Sequence, residues 1–201
     1  MDGPWSPYRS VDCSGRRTPA VRTCRRPIQS PLDALLTLRK QYDLTPDNVR
    51  SIVVRIPTDA EGIVGDSAMP NVNCQRLVAL APVKGAVSFA DSHDLALLHD
   101  PRIVAQRAKI TVTPDAALMD PAAPRGAIVE VTLNDGRKLE HFTKYPPGTK
   151  ENPLNTEAVS AKARDLMAPV LGTGKTEQLI ARINGLEALD DVRELRVLYT
   201  L

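Results

Sequence analysis

Apolar and polar positions alternate along SIVVRIP, placing Ile52, Val54 and Ile56 on one side of a strand that Pro57 ends. AKITVTP reads the same way. AIVEVTLNDGRKLEHFTKY holds two alternating runs joined at Asn134-Asp135-Gly136, the signature of a hairpin. Other segments follow helical spacing. In QSPLDALLTLRKQY, Leu32, Leu35, Leu36 and Tyr42 form a stripe; Ser30 suits an N-cap, Pro31 the first helical position, and Asp33 a capping-box-like place. NVNCQRLVALAPV reads as a helix that Pro82 should break or kink. A helix is expected across ADSHDLALL, and DPRIVAQRA begins another with Asp100 as cap and Pro101 behind it. From Asn155 onward the pattern is helical throughout. Val159, Leu166, Met167 and Val170 mark one helix, Leu179, Ile180 and Ile183 the next, and Leu189, Val192, Leu195 and Leu198 the last.

The order is helix, strand, helices, three strands, helices, without regular alternation. It predicts an α+β fold: a two-layer sandwich with a small antiparallel sheet, helices on one face, and C-terminal helices in addition. Three regions follow. Residues 1–26 form a basic tail, 27–154 an α/β domain, and 155–201 the C-terminal helices.

Charge sharpens the first boundary. The formal net charge is +2, yet residues 1–26 hold six arginines against Asp2 and Asp12, so the remainder is slightly acidic. The tail has no apolar periodicity and is broken by proline, so it is expected to be disordered. Targeting is the lesser reading, because a transit peptide needs an amphipathic helix. The folded part offers no basic surface for nucleic acid, and aromatics make up only 3% of the chain, too few for stacking platforms. No apolar run reaches the roughly 18 residues of a membrane span. Cys13, Cys24 and Cys74 are an odd number without a CxxC pair, which points away from disulfides and structural zinc and toward a reducing, cytoplasmic setting.

Gly172-Thr173-Gly174-Lys175-Thr176 resembles the end of a phosphate-binding loop. A full loop needs a glycine five residues before Gly174, to turn tightly and offer backbone N–H groups to phosphate. Pro169 stands there, and the preceding AKARDLMAPV is helical rather than a buried strand. The segment is expected to be a helix–helix connection, with Thr173 or Thr176 capping the second helix.

His93, His99 and His141 have no partner ligand at metal spacing, so no metal site is expected. Cys74 reads as a buried thiol rather than a nucleophile, since no histidine lies close in sequence. Arg76 is the unusual residue, a cation on a helix that should be mostly buried. Two readings stand: its head snorkels to water, or it grips an anionic ligand through paired hydrogen bonds.

Five segments together resemble a known family. They are QSPLDALLTLRKQYDLTPDNVRSIVVRIP, VNCQRLVALAPVKGAVSFADSHD, DPRIVAQRAKITVTPD, VEVTLNDGRKLEHFTKYPPGTKENPLN and LEALDDVRELRVL, in that order. They look like the successive motifs of the MmgE/PrpD family, from about Pro27 to the end, and only of its C-terminal part. The resemblance implies a lid-like α/β domain, with terminal helices that return to a large helical domain not represented in these 201 residues. Members include 2-methylcitrate dehydratase, an enzyme of propionate metabolism, and cis-aconitate decarboxylase. They are lyases or isomerases acting on small polycarboxylates, and the resemblance implies no cofactor. The sequence departs from the family at Arg76, where relatives place Tyr or His, at Pro82, and at Lys84, which replaces an Asp. Gln29 lies near the place of a basic or histidine side chain.

Arg76, Gln29 and Lys144 are therefore the substrate-binding candidates, and no catalytic residue is assigned. The expected partners are a small polycarboxylate and either a separate helical domain or a second copy in a dimer, with no nucleic acid and no membrane. A truncated, non-catalytic interaction module is the competing expectation, and a nucleotide-binding protein a third.

Overall fold

The computed structural model describes residues 26–65 and 67–200. The expectation of a disordered tail over residues 1–26 lies outside the described residues, save Arg26, where the first helix starts. Helices α1 (Arg26–Tyr42), α2 (Thr58–Val64), α3 (Cys74–Lys84), α4 (Phe89–His93) and α5 (Pro101–Arg107) accompany four strands: β1 (Val49–Pro57), β2 (Ile110–Asp115), β3 (Ala127–Leu133) and β4 (Lys138–Thr143). Helices α6 (Thr156–Leu171), α7 (Thr173–Asn184) and α8 (Arg196–Tyr199) follow, the last two joined by short 3-10 turns.

The α+β class holds. The four strands lie in the order β2-β1-β3-β4. β1–β3 and β3–β4 are antiparallel, whereas β2 runs parallel to β1, with Ile52 opposite Ile110 and Val54 opposite Val112. The sheet is thus mixed. Parallel neighbours cannot be joined by a tight turn, and the chain between them supplies the required crossover as α2 to α5.

Among the described residues, helices cover one face of the sheet. Ile52, Val54 and Ile56 of β1 and Val129 and Val131 of β3 are fully buried, and they join Ile28, Leu35 and Leu38 of α1 and Leu77, Val78 and Leu80 of α3 in one core. The opposite face mixes Val53, Ile128 and the exposed Phe142 with charged side chains. There the Arg55 guanidinium donates through Nε to Asp115 at 2.9 Å and through a terminal nitrogen to Glu130 at 3.2 Å, tying β1 to the end of β2 and to β3. These carboxylates hold the Arg55 pKa above its ordinary value.

Several local expectations are corrected. Ser30 is not a cap, because α1 begins four residues earlier and Pro31 lies inside it. Ser30 is buried and its hydroxyl donates to the Arg125 carbonyl, while Asp33 accepts from the Thr143 hydroxyl at 2.9 Å. Both polar groups on α1 thus serve tertiary contacts instead of a helix end. Tyr42 is exposed, and Leu38 takes the buried place expected of it. The helix stops where Asp43 turns to a φ of 49°, a left-handed conformation that Asp tolerates.

Pro82 does not break α3. It sits in the last turn, where it forfeits one backbone bond, and the helix runs on to Lys84 and ends at Gly85, whose φ of 81° suits a residue without Cβ. Asp100 does cap α5, accepting from the Arg102 N–H at 2.9 Å, with Pro101 in the first turn. Neither Thr173 nor Thr176 caps α7; the preceding residue is Gly172 (φ 78°), and Thr176 is buried.

Two outcomes follow for stability. Leu77→Ala removes a fully buried side chain and should lower unfolding free energy by about 2–5 kcal/mol in urea titrations, whereas Val197→Ser on the surface should leave it nearly unchanged. The Asp100 carboxyl is lowered to about 2, chiefly by the Arg102 side chain and then by the Arg102 N–H. A depressed folded-state value stabilises fully above the unfolded carboxylate pKa of about 4, and that contribution is lost as pH falls through about 2. Asp100→Ala should therefore lower the urea midpoint at neutral pH, and its deficit against the parent should shrink as pH approaches 2.

Candidate functional site

Arg76 enters the protein interior from the first turn of α3, and is 3% exposed. Asn73 starts the helix, its side chain accepting from the Arg76 N–H at 2.9 Å. The guanidinium is spent on three backbone carbonyls: one terminal nitrogen donates to Pro70 at 3.1 Å and Ser92 at 2.9 Å, the other to Asp94 at 2.7 Å. Neither sequence reading, snorkelling or gripping an anion, describes this geometry. Arg76 ties the loop before α3 to the end of α4, and its planar fork reaches acceptors that lysine could not span together. Burial pulls its pKa below the ordinary arginine value, partly offset by the Asp94 charge.

Around this clamp, Lys84 Nζ meets Asp91 at 2.7 Å, and Ser88 and Asp91 form a capping box that starts α4. The lysine that departs from the family pattern thus fastens α3 to α4. His93 is exposed; its ring stacks on Phe89 with centroids 4.2 Å apart, and Nε2 lies 3.3 Å from the Asn71 amide. His99 is exposed, and His141 is half-buried on β4 opposite Val129. Cys74 is fully buried. Among the described residues no three His, Cys, Asp or Glu side chains gather where they could hold a metal ion.

Gln29 is buried on α1, beside the Ser30 that reaches Arg125. Lys144 stands on the surface just past β4, 3.6 Å from Asp120 and with Nζ 5.5 Å from the Tyr145 ring centroid. It lines a cleft of about 190 Å³ together with Pro124, Arg125, Tyr145, Lys150 and Glu151. Neither Arg76 nor Gln29 lines that cleft, so the three candidates do not share one pocket. Arg125 and Lys150 escaped the sequence reading. The hairpin register pairs Ala127 with Thr143, so the segment entering β3 and the segment leaving β4 must meet. That is the signal by which both could have been found.

The segment resembling a phosphate loop is a helix corner. Gly172 joins α6 to α7, and Lys175 donates to the Thr200 carbonyl at 2.9 Å. α6 and α7 pack on each other and are cross-tied by Arg164, which donates to Glu177 at 2.7 Å and to Glu157 at 2.9 Å. A hydrogen bond from the Phe89 N–H to Asp165 links α4 to α6 at 3.2 Å. No helix among the described residues is long and apolar enough to cross a membrane.

What this fold defines is an α+β domain with a one-sided core, a small cationic cleft at the open ends of its hairpin, and a helical corner appended. The chain belongs to the MmgE/PrpD family: the family model of the MmgE/PrpD C-terminal domain matches residues 23–187. Among curated proteins none matches the chain.

The clamp yields a test. Arg76→Met leaves three inward carbonyls without their donor and should cost about 2–4 kcal/mol in chemical denaturation. Arg76→Lys should recover only part of it. Amide exchange should accelerate in 69–73 and 92–95 while β1 keeps its protection; uniform acceleration would show that Arg76 supports the whole core instead.

Proposed function

We propose that this chain is the lid portion of an MmgE/PrpD lyase or isomerase acting on small polycarboxylates, of the 2-methylcitrate dehydratase kind, completed by a helical domain. The observation that carries the reading is the bare apolar surface of its terminal helices. Val170 on α6 is 62% exposed, Val192 64% and Val197 on α8 70%, with Val159, Leu166 and Ile183 also exposed. These residues follow helical spacing as a core-facing stripe does, yet the α/β body leaves them open. A helical layer packed there would close the stripe.

The chemistry asks for two parts. In dehydration a C–H and a C–O bond break, a C=C bond forms and water leaves. Negative charge builds beside carboxylates that are already anionic, so the site needs a placed base and cations around it. This chain is rich in the second: Lys144, Arg125 and Lys150 flank one cleft. Arg76 acts indirectly in this reading, setting the loop at 67–73 rather than touching an acid. The base belongs to the helical domain.

The test is reconstitution. Residues 1–201 alone should leave citrate and 2-methylcitrate unconverted, and co-expression with the helical domain of a family member should give a complex that forms the unsaturated acid, followed by ultraviolet absorbance. Val170→Lys with Val197→Asp should abolish the complex and the turnover together. Enzymatic conversion by residues 1–201 alone would overturn the two-part reading. A stable complex with a helical domain and no conversion of any such acid would favour the interaction module, for which the same apolar stripe is the motive.

A further inference from the structure

The two edges of the sheet differ. β2 carries Pro114, which has no N–H to offer, and α2 and α3 pack against that strand. The β4 edge is open. The Leu133 N–H donates to the Arg137 carbonyl at 2.9 Å, and from that bond the antiparallel register sets an alternation along the strand. Leu139, His141 and Thr143 turn their backbone groups to β3, whereas Lys138, Glu140 and Phe142 turn theirs outward. Among the described residues no partner meets those outward N–H and carbonyl groups. A row of this kind is a template for another strand.

The side chains of the same residues are unmatched as well. Lys138, Glu140 and Phe142 lie exposed on the face away from the core. Glu140 stands directly opposite Glu130 of β3, and like charges opposed across a ladder weaken it. Glu130 has Arg55 at 3.2 Å, but among the described residues neither Glu140 nor Lys138 has an ion pair. On the other face Leu139, like Leu36 of α1, packs on the core while only partly buried.

A second copy of the chain answers each of these wants. A two-fold axis perpendicular to the sheet runs β4 antiparallel to its own copy and keeps every side chain on its face. Centred on Lys138, the pairing sets lysine against lysine; centred on Glu140, glutamate against glutamate; centred on His141, Glu140 against Phe142. Centred on Leu139, it sets Lys138 of each copy opposite Glu140 of the other, with Leu139 against Leu139 on the core side. In that register Lys138 and Glu140 are also the residues whose backbone groups point outward, so they exchange N–H···O bonds in both directions. Arg137 then comes opposite His141 of the other copy, its own charge already matched by Asp135 at 2.7 Å. The charges that guard this edge against an arbitrary strand thus select one partner and one register.

We infer that the β4 edge is an interface for a second copy of this chain, joining two four-stranded sheets into one continuous sheet centred on Leu139. This goes beyond the proposed lid role and stands apart from it, since it uses neither the cleft nor the terminal helices. Residues 1–201 are followed by gel filtration with light scattering over a concentration series. The mass should rise toward twice 21.9 kDa and fall back on dilution. E140K sets lysine against lysine across the axis and should weaken the dimer at least about tenfold, while the swapped K138E/E140K pair should return it to within about threefold of the parent. E140K should keep its fold, because a lysine there faces Glu130. Per-residue amide exchange should slow at 138 and 140 on dimerisation, with 139 and 141, already bonded to β3, unchanged. V170K/V197D should dimerise as the parent does; loss of the dimer there would move the contact to the terminal helices and overturn the inference. A monomer up to about 1 mM would also overturn it, as would an E140K dimer as tight as the parent's or a K138E/E140K chain that stays monomeric.

Discussion

The constraint on which the rest depends is the one-sided burial of β1. This strand lies inside the sheet, hydrogen-bonded to β2 on one edge and β3 on the other, and its inward residues Ile52, Val54 and Ile56 are wholly removed from water. Because successive side chains point to opposite faces, a slip of one residue would carry Arg55 into the core and Val54 out of it. The register is therefore fixed, and with it the neighbours. β3 must place Val129 and Val131 beside them, and α1 and α3 must cover all of these from the same side. Arg55 on the far face then meets Asp115 and Glu130 from the two flanking strands. That ion cluster is half-exposed and adds modestly to stability. Its greater effect is that a wrong pairing would leave the charges unmatched.

From the same register comes the cleft. An antiparallel hairpin brings the residue before its first strand next to the residue after its second, so Gly126 and Lys144 are neighbours by construction. The two loops need only short internal hydrogen bonds to form facing walls, and Ser30 anchors one of them to α1. The Asp33–Thr143 bond fastens the same helix to the last residue of β4. A polar pair that looked like a helix-capping device is thus the mortise between helix layer and hairpin.

Legibility in the sequence followed the reach of each signal. Period-two alternation identified β1, β2 and the hairpin, because strand faces are decided within a few residues. It carries no direction, and so the parallel pairing of β1 with β2 was not visible; the long helical crossover between them was the available clue. The cap was legible at Asp100, where proline follows at the first helical position, and misleading at Ser30, which is buried inside a helix that starts earlier. The five family-like segments led to the right family, and the match over residues 23–187 covers most of them. Arg76 stood out as a lone cation on a buried helix, but its acceptors are carbonyls at 70, 92 and 94, and no residue-type pattern announces a carbonyl. Arg125 and Lys150 were missed because an ordinary basic residue in a loop acquires meaning only from the wall opposite.

The terminal helices show where periodicity stops being informative. Val159, Leu166 and Val170 recur as a buried stripe would, and in this fold they face outward. A hydrophobic period says that a surface gains by leaving water; it does not say what covers it. The same logic disposes of the phosphate-like segment beside them. Gly172 is there for a positive φ at a helix corner, Lys175 reaches the Thr200 carbonyl, and Thr176 is buried on α7. Three residues of that short motif thus have local structural places at the corner where α6 meets α7. The corner is tied to the α/β body at Asp165 and Phe89, while Val159, Leu166, Val170 and Ile183 stay exposed on it.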